Sequence, residues 1–333
     1  MKKRIHLAAR DNGAGLTRDL EIVAAALRDA GYSVTATAVG AGGPRRQMSH
    51  LQLRARLALR GLVRGRRQSR FDLNIMFERV WRKYPTLAWR SALIPNPEWF
   101  RAEYEQFLPS VDKVLTKSRH AVPLFAALGR PTEFIGFTSA DRRLAHVERE
   151  QTFFHLAGRS GNKGTRMLVE LWLLHPEWPN LTIVQREKLP SPLPSAANLV
   201  YLTSYLPDDE LRVLQNRHLF HLCPSEVEGF GHHIVEGMST GAIVIATDGP
   251  PMNELVGPDR GILVPYAGTG SQRLSTTYQI DAGALANAID TLLSKDTHFK
   301  TTLGQAARDW YEQNDRLFRE RLVHSVEQLI GDN

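Results

Sequence analysis

The chain has 333 residues, 42% of them hydrophobic and 23% charged; that length exceeds one ordinary domain and suits two of about 150 residues, and the composition excludes wholesale disorder. The formal charge of +7 conceals an asymmetry, with 27 Lys and Arg against 14 Asp and Glu through Glu150 and 15 against 21 beyond it. The two halves therefore meet different partners.

Arg4 to Ala8 reads as a strand. The turn Asp11-Asn12-Gly13-Ala14-Gly15 follows, then a helix carrying Leu20, Val23, Ala24 and Leu27 at helical spacing. Gly31-Tyr32 ends that helix, and Ser33 to Val39 is a second strand. The start, Met1 to Arg4, is basic, with no apolar stretch after it of the length of a signal peptide or a membrane span. The expectation is a cytoplasmic protein.

Arg45 to Arg70 holds nine Arg and no acid. Leu51, Ala55, Ala58, Leu59 and Leu62 share one helical face, and Arg56, Arg60, Arg64 and Arg67 share another. This basic amphipathic helix either packs on the first sheet with a solvated face, lies peripherally on an anionic membrane, or grips an acidic acceptor.

Further strands are expected at Leu73 to Phe77, Ser91 to Pro95, Lys113 to Thr116 and Phe134 to Phe137, with a helix at Ala121 to Leu128. Between them, Ile94-Pro95-Asn96-Pro97-Glu98-Trp99 offers Asn96 and Glu98 as acceptor or sugar contacts. Its other reading is a structural turn anchored by Trp99. Thr138 to Glu150 is a charged connector with little to bury, so a boundary is expected near Glu150.

The alternation then restarts, with strands at Phe153 to Ala157, Leu181 to Val184, Leu199 to Leu202, Leu219 to Cys223, Ala242 to Thr247 and Gly261 to Val264. A helix at Thr165 to Leu174 follows the turn Gly158 to Gly164. Leu206 to Leu211 reads as a helix start with acids in its first turn, Gly268 to Thr277 as a polar loop, and Phe299 to Ile330 as a helix long enough to pack across both units. The single Cys223 excludes an internal disulfide and reads as a buried thiol. Strands alternating with helices argue for parallel, doubly wound sheets, an α/β class with two Rossmann-like units.

Chemistry concentrates in Pro224 to Met238, which follows a strand and opens a helix with Ile234, Val235 and Met238 facing a core. Gly229 and Gly231 let a ligand approach the backbone, and the helix N-terminus supplies N–H donors and positive dipole to phosphate. Glu236 is suited to paired ribose hydroxyls, and Glu228 is placed to meet a sugar. With seven residues between Glu228 and Glu236 and Glu-Gly-Phe-Gly at its front, the segment resembles the signature of glycosyltransferase family 4.

That resemblance implies the GT-B fold, two Rossmann-like domains facing across a cleft: residues 1–150 for the acceptor, and residues 151–333 for the nucleotide sugar, the last helix packing back on the first domain. It implies a retaining transferase of glycan or glycoconjugate biosynthesis. Glu228, Arg159 and Lys163 would be catalytic. Gly13, Gly15, Gly229, Phe230, Gly231 and Glu236 would bind the donor, together with Arg159 and Lys163. The pair Gly158-Arg159 and Lys163-Gly164 is similar to the family's diphosphate-holding turn, one residue shorter. Fixed cations there stabilise a departing diphosphate more in the transition state than in the ground state.

The chain has no Asp-x-Asp, and His232 and His233 diverge by about 100° on a helix. No cofactor and no divalent metal are therefore expected. The first domain carries no histidine where family members place one beside the sugar. The partners implied are a nucleotide-sugar donor and an acceptor that no motif identifies, with no nucleic acid expected. The alternatives are a nucleotide-sugar epimerase or phosphorylase on the same frame, and a non-catalytic protein binding anionic lipid or nucleic acid.

Overall fold

The computed structural model describes residues 2–10, 15–39, 55, 70–82, 84–187 and 192–331. Gly13, and all of the basic helix expected across Arg45 to Arg70 save Ala55 and Arg70, lie outside them. The chain divides into two compact units, Met1–Phe137 with Arg316–Asn333, and Thr138–Asp315.

The first unit opens with β1 (Arg4–Arg10), α1 (Gly15–Asp29) and β2 (Ser33–Val39). It continues with β3 (Phe71–Phe77), β4 (Ala88–Ile94), β5 (Lys113–Thr116), α2 (Ala121–Ala126) and β6 (Thr132–Phe134). The six strands pair in parallel in the order β2-β1-β3-β4-β5-β6. A parallel strand covered on both faces needs a nearly continuous apolar run, and Ile5, Leu7 and Ala8 of β1 are fully buried. His6, buried between them, is satisfied by Asn74 Oδ1 at 2.7 Å and Thr37 Oγ1 at 2.9 Å, and it stacks on Phe71 and Tyr84.

The strand expected at Phe134 to Phe137 ends at Phe134, because Gly136 takes a φ of +71° and turns the chain out of the sheet. Residues 316–331 of the terminal helix (Thr297–Gly331) close this unit. There Leu322 and Val326 are fully buried and Phe318 meets Phe137 at 4.9 Å between ring centres.

The second unit comprises β7 (Glu150–Gly158), α3 (Thr165–Leu174), β8 (Leu181–Gln185), β9 (Leu199–Leu202), α4 (Asp208–Arg217), β10 (His218–Cys223), α5 (His232–Ser239), β11 (Ile243–Thr247), α6 (Met252–Leu255) and β12 (Ile262–Val264). They form a second parallel sheet in the order β12-β11-β10-β7-β8-β9. In its core Trp172 packs edge to face on both Phe153 and Trp178, and Phe220 lies tilted against Phe153. The expectation of two α/β units with parallel sheets is met.

Two segments differ from expectation. Gly268 to Thr277 is not a loop but the middle of an antiparallel hairpin, β13 (Tyr266–Gln272) with β14 (Ser275–Ile280). Most of β13 faces solvent, so it lacks the apolar alternation that marks a strand. The hairpin is anchored by Tyr278, which lies so close over Gly249 that a Cβ there would stand 2.5 Å from its Cγ. Residues 138–150 are likewise no loose connector. The Arg142 guanidinium donates to Gln215 at 2.7 Å and to both oxygens of Asp208, and Arg149 donates to the carbonyls of Thr240 and Gly241.

Both sheets have a first strand flanked by connections that leave in opposite directions, β1 between β2 and β3, and β7 between β8 and β10. Loops leaving adjacent strands toward opposite faces open a crevice at their carboxyl ends, where ligands of such sheets bind.

Candidate functional site

The crevice of the second unit lies between the turn after β7 and the loop after β10. Gly158 and Gly164 have φ of +62° and +71°, conformations that glycine adopts without strain. At Gly164 there is a second demand, since a Cβ would stand 2.7 Å from the carbonyl oxygen of Pro224. That close approach lets the two loops join, and the Glu226 N–H donates to the carbonyl of Asn162 at 3.0 Å.

The junction brings Lys163 to Glu228. Their ion pair is largely enclosed, with side-chain exposures of 15% and 12%. His233 completes the cluster. Lys163 Nζ, which can only donate, meets His233 Nδ1 at 3.3 Å, so the ring proton belongs on Nε2, which faces Ser225 Oγ at 3.2 Å. Burial first, and then the Lys163 charge, hold the His233 imidazole well below its ordinary pKa and neutral. His155 beneath the turn is held neutral by burial, at about 4. It donates to the Leu222 carbonyl and accepts from the Thr165 hydroxyl.

Helix α5 starts at this cluster. Gly231, with a φ of +107°, caps it, and Phe230 beside it is buried. Ile234, Val235 and Met238 are fully buried as expected. Glu236 is also buried, at 2% exposure, and its Oε2 accepts from Gln215 at 2.9 Å. The helix is enclosed on every side, so a carboxylate inside it needs a partner.

The structure thus unites Lys163, Glu228, Gly229, Phe230, Gly231 and the start of α5. Arg159 turns elsewhere, to an exposed pair with Glu187 at 3.5 Å. Such a pair holds its partners weakly. In the first unit, Gly15 is the first residue of α1. Asn96 and Glu98 are buried, and Asn96 Oδ1 accepts from Lys117 at 2.9 Å. His232 and His233 do diverge, His232 reaching Ser139 Oγ at 2.7 Å.

Sequence reading missed His233, Ser225, Asn162 and Gln215 as parts of this site. His233 lay inside the motif, and a polar residue among the apolar ones of a core helix was its only signal. The hairpin was missed as well. It fastens the site from outside, Asn162 Nδ2 donating to Gln272 and the Tyr278 N–H donating to the Glu226 carbonyl at 2.7 Å.

Residues 195–310 match the family model of glycosyl transferases group 1. No curated protein matches the chain by sequence. Among solved structures, a glycosyltransferase from Rickettsia africae is similar over all of both chains, with a TM-score of 0.70 at 15% identity. Sucrose-phosphate synthase from Thermosynechococcus elongatus follows over all of both chains, at 0.67 and 16%. Anabaena HepE in complex with UDP and glucose matches 98% of this chain and 100% of its own, at 0.67 and 14%. At these identities the likeness establishes the fold, which is GT-B. No helix among the described residues is long and apolar enough to cross a membrane.

Proposed function

We propose that this protein is a metal-independent, retaining glycosyltransferase whose donor is a nucleoside-diphosphate sugar. The observation that carries the reading is the Lys163–Glu228 pair at the carboxyl-end crevice, against the N-terminus of α5. An incoming diphosphate outbids one carboxylate for the Lys163 ammonium, because it offers more charge and more acceptor oxygens. Glu228 is released by the same exchange, and its oxygens become acceptors for sugar hydroxyls.

As the glycosidic bond breaks, charge builds on the departing phosphate, where Lys163 and the first-turn N–H groups of α5 stabilise it. Arg159, held among the described residues by an exposed pair with Glu187, swings in as the second cation and does the work that a metal does elsewhere. Glu236, fixed by Gln215, holds the ribose. Retention follows from the likeness of the Glu228 to Glu236 segment to retaining enzymes, the leaving phosphate taking the acceptor proton. The Anabaena protein has been seen with UDP-glucose, so a UDP-hexose is the first donor to try. The Arg45 to Arg70 segment would rest on an anionic membrane surface and the protein would be cytoplasmic.

Calorimetry with UDP and UDP-glucose, GDP-mannose and ADP-glucose, in buffer containing EDTA, tests the donor assignment. Binding by the wild type is expected, and its loss in Lys163→Ala and Glu236→Ala. Equal affinity in all three proteins, or binding only when a divalent ion is supplied, would sink it. Proton NMR of the first-formed glycoside decides retention, inversion being the contrary result.

A further inference from the structure

The first unit has a crevice of the same topology, between β1 and β3, and Glu78 stands at its edge. Glu78 is the first residue after β3 and has a φ of +67°, a left-handed conformation in which a long side chain is strained. The Glu78 N–H donates to the Ile94 carbonyl at 2.9 Å, which locks the residue at the junction of β3 and β4.

Its surroundings are cationic. Burial pushes the Glu78 carboxyl above the usual carboxylate range, and Arg79, Arg10, Lys117 and Arg101 pull it back. Arg10 is the last residue of β1, on the opposite side of the crevice. The nearby cations Lys117 and Arg79 are already engaged. Lys117 is paired with buried Asp19, bonded to Asn96 and set 4.8 Å from the Phe137 ring centre. Arg79 packs 4.1 Å over Trp81 and donates to the Tyr104 hydroxyl.

Glycine would adopt this backbone without strain, so the turn alone does not account for a glutamate. The arrangement parallels that of the second unit: a cation stands at or just beyond the carboxyl end of the first strand, and a carboxylate follows its neighbour on the other side. A carboxylate at the end of one strand, within electrostatic reach of a guanidinium at the end of its neighbour, offers an acceptor near a donor, which is what a sugar hydroxyl, both donor and acceptor, requires.

We propose that Glu78 is an acceptor-binding residue, its carboxylate receiving hydrogen bonds from hydroxyls of a carbohydrate acceptor seated at the β1–β3 crevice beside Arg10. This rests on the glycosyl-transfer reading and names the acceptor class. The test uses saturation-transfer NMR on the full chain with methyl glycosides of common hexoses and pentoses as probes. Calorimetry with UDP runs in parallel, and thermal unfolding checks each variant.

The wild type is expected to bind at least one glycoside. Glu78→Gln and Glu78→Gly lose roughly tenfold or more of that affinity, the weight of a hydrogen bond to a charged group. UDP affinity and melting temperature do not fall. Glu78→Gly is the decisive variant, since it satisfies the backbone better than glutamate does. If it binds glycosides as the wild type does, or if the wild type binds none, the assignment is overturned. Failure of UDP to bind the wild type counts against the donor reading and leaves the glycoside result to be read by itself.

Discussion

The two units solve one topological problem with opposite electrostatics. The second unit holds a set of imidazoles kept neutral by burial: His155 and His218 at about 4, His221 at about 3, and His233 well below its ordinary value. At the crevice of the first, burial raises a carboxyl, that of Glu78, among four cations. Lys163 and Glu228 hold each other in an enclosed ion pair, whereas Glu78 is kept in strain. A shared sheet order therefore fixes where each site lies and leaves its chemistry to a few side chains.

Acid separates the two most widely. A histidine with a depressed folded pKa takes up its proton in the unfolded chain first, so its contribution is lost as pH falls from about 6.5 toward 4. At pH 5 each imidazole that stays neutral costs about 2 kcal/mol. Glu78 has the reverse sign: its raised folded pKa makes the fold bind the extra proton, and the first unit gains as pH falls toward the ordinary carboxylate range. Hydrogen exchange followed by peptide from pH 7 to pH 5 is expected to show residues 138–315 losing protection first. Simultaneous loss in both units would break the comparison.

Next in size is Lys163→Ala, expected to lower kcat/KM for transfer about 10²- to 10³-fold, the weight of one preorganised charge-stabilising group. Arg159→Ala, whose side chain starts from an exposed pair, is expected to cost less. Steady-state kinetics with a UDP-hexose compares them, and a larger loss at Arg159 would reverse the roles. Gly164→Ala meets both a φ of +71° and the Pro224 oxygen. A loss of about 2 kcal/mol is expected in urea denaturation of the second unit. The smallest effect is the opposite one in the first unit, where Glu78→Gly relieves strain and is expected to gain about 1 kcal/mol. A loss there would mean that the glutamate serves the fold.

Much of the candidate site was legible because its parts lie close in sequence. Gly229, Gly231 and Glu236 belong to one strand-loop-helix segment, and Lys163 to one turn, so local pattern carried them. The direction of Arg159 was not legible, since Glu187 competes for it from a neighbouring loop. Neither was the burial of Glu236, which depends on Gln215 from another helix. The hairpin escaped because solvent on most of β13 erases the alternation by which strands are read.

The sequence by itself determined two parallel α/β units, most strand positions, and a glycine loop at the start of α5, because backbone periodicity and glycine placement are local properties. Only the tertiary structure decided that Lys163 meets Glu228, 65 residues away, and that Lys117 reaches across 98 residues to Asp19. It also decided that Glu78 is a strained carboxylate rather than a surface acid. These are long-range pairings and burials, set by how strands are ordered in a sheet, and strand order leaves no periodic mark in the chain.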